Sequence, residues 1–157
     1  QLFKEDVAKD GEMVETFCRA LVDGNANRIE QLFTEYLTKT ISVRDTFVRK
    51  PVKENFYHGI LLGILSYKGG WYVTSNRESG DGFSDIMVRI DDEDVGIIIE
   101  VKYAENGKEE EMSRKALLQI HEKHYEKVLL DEDIHKVMNY GIACNKKKCK
   151  VSMEISE

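Results

Sequence analysis

Apolar residues recur at helical spacing over the first third of the chain and at alternating spacing after it. From Gly11 to Val22, Met13, Val14, Phe17, Cys18 and Leu21 return every three to four positions, predicting an amphipathic helix. Asp23-Gly24-Asn25 interrupts it, and Ile29, Leu32, Phe33, Tyr36 and Leu37 predict a second helix. The β-branched run Ile41–Val48 reads as a short strand or extended segment. Pro51 suits the first turn of a third helix reaching Tyr67, with Phe56, Ile60, Leu61 and Ile64 turned inward. After the Gly69-Gly70 turn, Trp71–Ser75 predicts a strand. Two further strands follow. In the first, Ile86, Val88 and Ile90 share one face and Asp85, Met87 and Arg89 the other; the second runs from Val95 to Tyr103, with Ile97, Ile99 and Val101 opposed to Ile98, Glu100 and Lys102. These three form an antiparallel meander. A helix over Glu109–Lys127 opens on three glutamates that suit its positive dipole end and buries Met112, Ala116, Leu117 and Ile120. Val137–Cys144 and Cys149–Ile155 close the chain as two strands around a lysine-rich turn.

The acidic turn Asp91–Asp94 carries the chemistry. A symmetric hairpin centred on Asp92-Glu93 sets Asp85 opposite Glu100, with Cβ atoms about 4.5–5.5 Å apart. Two facing carboxylates repel unless a cation stands between them. Carboxylate oxygens suit Mg²⁺, with Mn²⁺ as a substitute, whereas zinc favours Cys and His. Lys102 projects from the same face, and a divalent ion beside an ammonium can activate water and neutralise charge building on a phosphoryl oxygen. The competing reading is a solvated salt-bridge face. Against it, Ile97-Ile98-Ile99 is apolar on both faces, as in a central strand, where an idle Glu and Lys would be costly to bury. The lead-in Glu78-Ser79-Gly80-Asp81-Gly82 also frees the backbone just before Asp85.

Composition narrows the surroundings. The 157 residues, with one proline and no Ser/Pro-rich linker, suit a single domain over residues 1–157: an N-terminal helical extension (1–50) and a core (51–157). No apolar run is long enough to span a bilayer, and the polar, amphipathic N-terminus is not a signal peptide, so a cytoplasmic location without membrane contact is expected. The first residue is Gln1 rather than Met, which suggests an excerpt of a longer chain. Cys18, Cys144 and Cys149 make an odd count and are expected as reduced thiols; a metal half-site at Cys144/Cys149 lacks a second Cys/His pair. His121 and His124 lack a third zinc ligand and read as exposed helix residues, and His58 as a packing histidine. The net charge of −6 runs against nucleic-acid binding, yet Arg44, Arg49, Lys50 and Lys53, and again Lys146, Lys147, Lys148 and Lys150, leave room for a locally basic groove.

The order Glu54 on a helix, Asp85, Glu100-Val101-Lys102, then Gln119 and Tyr125 on a later helix resembles the PD-(D/E)xK nuclease superfamily. The segments Glu54–Gly59 and Ser75–Gly82 are similar, more narrowly, to the nuclease domain at the C-terminus of AAA-ATPase-like proteins. Ser84 replaces the usual proline, Phe83 stands where such domains more often carry Arg, and no phosphate-binding loop of the ATPase half occurs in the chain. The resemblance implies an α/β fold: a restriction-endonuclease-like core (α-β-β-β-α-β) with a mixed central sheet flanked by helices, plus the N-terminal helical pair. It implies a Mg²⁺-dependent nuclease whose ion is held by Asp85, Glu100 and the Val101 carbonyl, with Glu54 reaching it through water. Lys102 would position or deprotonate the attacking water, and Gln119 would orient the phosphate or that water; Tyr125, Ser79 and Arg77 would contact substrate. The implied partners are nucleic acid, DNA before RNA, and an upstream ATPase-like domain of the same polypeptide. Oligomeric state, a homodimer included, stays open. Two rival readings remain: a catalytically weak or inactive module binding nucleic acid or a protein, and a hydrolase of small phosphodiesters.

Overall fold

The computed structural model describes the backbone of residues 2–40, 50–77, 84–123, 125–130 and 132–157, and side chains from 11–40, 53–75, 85–123, 127, 129–130 and 132–157. The extended segment expected at Ile41–Val48 and the glycine-rich lead-in at 78–83 lie outside the described residues. Helices α1 (Leu2–Asp23), α2 (Ala26–Thr40) and α3 (Lys50–Ser66) come first. Strands β1 (Tyr72–Arg77), β2 (Ser84–Ile90) and β3 (Val95–Tyr103) follow, then α4 (Glu109–Lys123), α5 (Tyr125–Leu130), β4 (Lys136–Asn145) and β5 (Lys148–Ser156).

The five strands form one sheet in chain order. Neighbours pair antiparallel except β3 and β4, which are parallel. A parallel pair needs a long crossover, and α4 with α5 supplies it. The result is the mixed α/β sheet that the family resemblance implies.

Alternation along the strands builds two cores. Ile86, Val88, Ile90, Ile97, Ile99 and Val101 join Met138, Tyr140, Ile142 and Cys144 against α1, α2 and α3. On the other face Ile98 and Val137 pack with Ile120, Leu129 and Ile134 beneath α4 and α5. This double burial explains why β3 is apolar on both sides. The N-terminal helical pair is built into the first core: Phe17 and Phe33 meet at 6.2 Å between ring centroids, and Tyr140 Oη donates to the Leu21 carbonyl.

Two helix boundaries and the placement of one side chain differ from the periodic reading. Helix α1 begins at Leu2, ahead of Gly11, because a single glycine weakens a helix without ending it. The helix expected over Glu109–Lys127 ends at Lys123, and a second helical segment takes over from Tyr125. Phe56, expected inside, is 40% exposed and packs edge-on against Tyr57. Helix α3 is apolar nearly all round, so its sequence does not single out the inward face; Tyr57, Leu61, Ile64 and Leu65 take it.

Gly141 sets how closely α4 approaches the sheet. It stands beside Glu100 in the parallel ladder, and a Cβ there would lie 2.1 Å from the Ser113 carbonyl oxygen and 2.7 Å from the Leu117 nitrogen. Only a residue without a side chain lets the helix backbone rest on the strand at this point.

Candidate active site

The β2–β3 register sets Asp85 directly opposite Glu100, as the symmetric turn requires. The turn itself is a short 3₁₀ segment, Asp91–Glu93, closed by Asp94 in the left-handed region at φ 52°. Asp85, Glu100 and Lys102 all face α4 and are 1%, 0% and 2% exposed. Such burial rules out the solvated salt-bridge face. Val101 turns its side chain into the opposite core, so only its backbone could serve a ligand here.

A second ammonium joins them. Lys123, in the last turn of α4, brings Nζ to 3.4 Å from Asp85 Oδ2 and 3.7 Å from Glu100 Oε1. Lys102 Nζ stands 4.0 Å from Glu100 Oε1. Asp85 Oδ1 and both Glu100 oxygens are nevertheless buried without a hydrogen-bond donor. Unsatisfied buried carboxylate oxygens are costly, and the protonation equilibria reflect it. Burial, then the neighbouring Asp85, pushes Glu100 up to about 8, against the opposing pull of Lys123 and Lys102. Burial also lowers Lys102, although Glu100 and Glu54 act to hold it up. A cation between the acids would supply what these oxygens lack.

The other expected residues divide by position. Glu54 is buried in α3, and its Oε1 accepts a hydrogen bond from the Tyr103 amide at 3.3 Å. It stands at the end of β3, near enough to Lys102 to raise its basicity, but no group of three or more His, Cys, Asp or Glu spaced to hold an ion occurs among the described residues. Gln119 is half-buried one helical turn before Lys123, on the same side of α4, and makes no hydrogen bond to either carboxylate. Tyr125 opens α5 and Arg77 ends β1, both with side chains outside the described set; Ser79 lies wholly outside it. His58 bonds the Ser75 hydroxyl at 3.1 Å, as a packing histidine should. His121 is half-buried and bound to Glu154 at 2.7 Å rather than exposed, and His124 is outside the described residues. The three cysteines are free and buried.

Lys123 escaped the sequence reading. Its spacing of four from Gln119, which puts both on one face of the helix, was the available signal.

Two carboxylates from adjacent strands, with a lysine two positions after the second and a helix laid over them, define a class of metal-dependent phosphodiester-cleaving folds. A family model described as the PD-(D/E)XK nuclease superfamily matches residues 52–154, more than half of the chain, so the chain belongs to that superfamily. No curated protein matches it. Membership suggests nuclease activity and nucleic-acid binding, and PD-(D/E)XK nucleases generally use divalent metals. The match is to the superfamily and carries no ATPase context. Among the described residues, no helix is long and apolar enough to cross a membrane. The donor set also fits a hard dication: it offers unpartnered carboxylate oxygens, with no cysteine or histidine among the ionisable groups that act on them.

Proposed function

We propose that this chain is a Mg²⁺-dependent nuclease that hydrolyses phosphodiester bonds of DNA. The observation that carries the reading is the buried pairing of Asp85 with Glu100, three of whose oxygens lack a donor, beside Lys102. Asp85, Glu100 and the Val101 carbonyl would hold the ion, and Glu54 would bear on it through water. When bound, the ion supplies charge neutralisation and lowers the pKa of water. Lys102, whose basicity burial depresses, is suited to take a proton from the attacking water and to face the charge that builds on phosphorus. Gln119 orients that water or the phosphate, and Tyr125, Ser79 and Arg77 contact the DNA strand.

The segments Glu54–Gly59 and Ser75–Gly82 extend the proposal to an ATPase-like domain upstream, and three free buried thiols suit a cytoplasmic setting. The net charge of −6 favours a second reading, a module that binds nucleic acid or a protein without cutting.

Calorimetry and plasmid nicking separate the two. The nuclease reading expects Mn²⁺ binding that Asp85→Asn abolishes, and nicking that Lys102→Ala abolishes while metal binding survives. DNA binding indifferent to both substitutions and to EDTA, with no nicking, would establish the module instead.

A further inference from the structure

The acid pair already has a cationic neighbour. Lys123 Nζ reaches both carboxylates, at 3.4 Å from Asp85 Oδ2 and 3.7 Å from Glu100 Oε1, on a side chain only 18% exposed. It comes from a separate element, 38 positions from Asp85. We propose that Lys123 is the resident counter-ion of this pair, and that a divalent cation must compete with its ammonium to occupy the site. The inference rests on the metal-binding reading above and adds a residue and a consequence to it.

The argument is electrostatic and steric. Oxygens 3.4 and 3.7 Å from an ammonium are not free to close on a dication at about 2.0–2.1 Å, the Mg²⁺–oxygen distance. Nor can the ammonium stay at that range once a second, doubly charged cation arrives, since like charges at such separations repel strongly in a buried site. Lys102 stands farther from the pair, with Nζ 4.0 Å from Glu100 Oε1. Lys123 is the last residue of α4, and 18% of its side chain is open to solvent. The lysine thus sets the ion concentration at which the site loads. It covers the acids when metal is scarce and yields when metal is abundant.

The test is Mn²⁺ calorimetry on the whole chain. Lys123→Met should bind Mn²⁺ more tightly than the parent, within the roughly 5–150-fold range of two ligands coupled through one site. Lys123→Arg, which keeps the charge, should stay close to the parent. Lys127→Met, which removes an exposed lysine from α5, controls for net charge and should change affinity by less than about twofold. Because Lys123→Met removes the nearer of the two ammoniums beside the acids, its melting temperature should fall below the parent's in EDTA and recover in saturating Mn²⁺. Equal affinity in Lys123→Met and the parent would overturn the proposal, as would a stability deficit that Mn²⁺ leaves unchanged. Absence of Mn²⁺ binding in every variant and in the parent would instead overturn the metal-binding reading.

Discussion

Replacing Gly141 with alanine tests whether the seat of α4 on the sheet holds the site together. The added Cβ would stand 2.1 Å from the Ser113 carbonyl oxygen, 2.7 Å from the Leu117 nitrogen and 3.1 Å from Ala116 Cβ. An ordinary carbon–oxygen contact is about 3.3 Å, so the helix must lift by roughly 1 Å. The two nearest atoms are backbone and cannot rotate aside. Ser113 is further tied to the Ser152 hydroxyl at 2.7 Å, which resists the shift. Overpacking of this kind costs about 1–3 kcal/mol, and collision with helix backbone puts it at the upper end, about 3 kcal/mol. At roughly 2–4 °C per kcal/mol for a chain of this size, the melting temperature should drop by about 6–12 °C. Thermal unfolding followed by circular dichroism measures it, and urea midpoints at unchanged slope confirm that stability alone has moved. A drop of less than about 2 °C would refute the reasoning, since α4 would then have room that the contact distances deny.

The remaining expectations are shorter to state. Glu100 titrates near 8 in the fold against an ordinary value of 4.5, so unfolding releases its proton in that interval. The contribution of Glu100 to the stability of the metal-free protein should therefore be full below about 4.5, decline as pH rises, and be lost above about 8. Glu100→Gln should remove most of that slope; an unchanged slope assigns it to other groups. Mn²⁺ should in turn bind more weakly as pH falls below about 8, because the proton competes for the same oxygens. Tyr140→Phe leaves the Leu21 carbonyl without its donor and should cost about 1–3 kcal/mol in urea unfolding. Ile98→Ala opens a cavity among Ile120, Leu129, Ile134 and Val137 and should cost about 2–5 kcal/mol, read the same way.

Much of the acid pair was legible because its determinants are local. A four-residue acidic turn and strict alternation on either side leave one register that buries Ile86, Val88, Ile97 and Ile99 together, and that register sets Asp85 against Glu100. The parallel β3–β4 pairing was implied by the family resemblance, and a helix between two strands permits it. Lys123 was not legible, because its role depends on where α4 lands. That landing is decided by Gly141 on a strand the chain has yet to form. In the sequence it is one lysine among several charged residues on a helix. Phe56 was misplaced for the converse reason: α3 is apolar around most of its circumference, so burial was decided by the surface it met.

The crossover has a consequence for assembly. The two acids lie on strands joined by one tight turn, so they can meet as soon as that ribbon forms, and short loops close quickly. One ammonium, Lys102, comes with the ribbon, whereas the second, Lys123, arrives only when α4 docks over the sheet. The set of charges around the pair is therefore complete only when a contact distant in sequence has formed, and such contacts are slow to close.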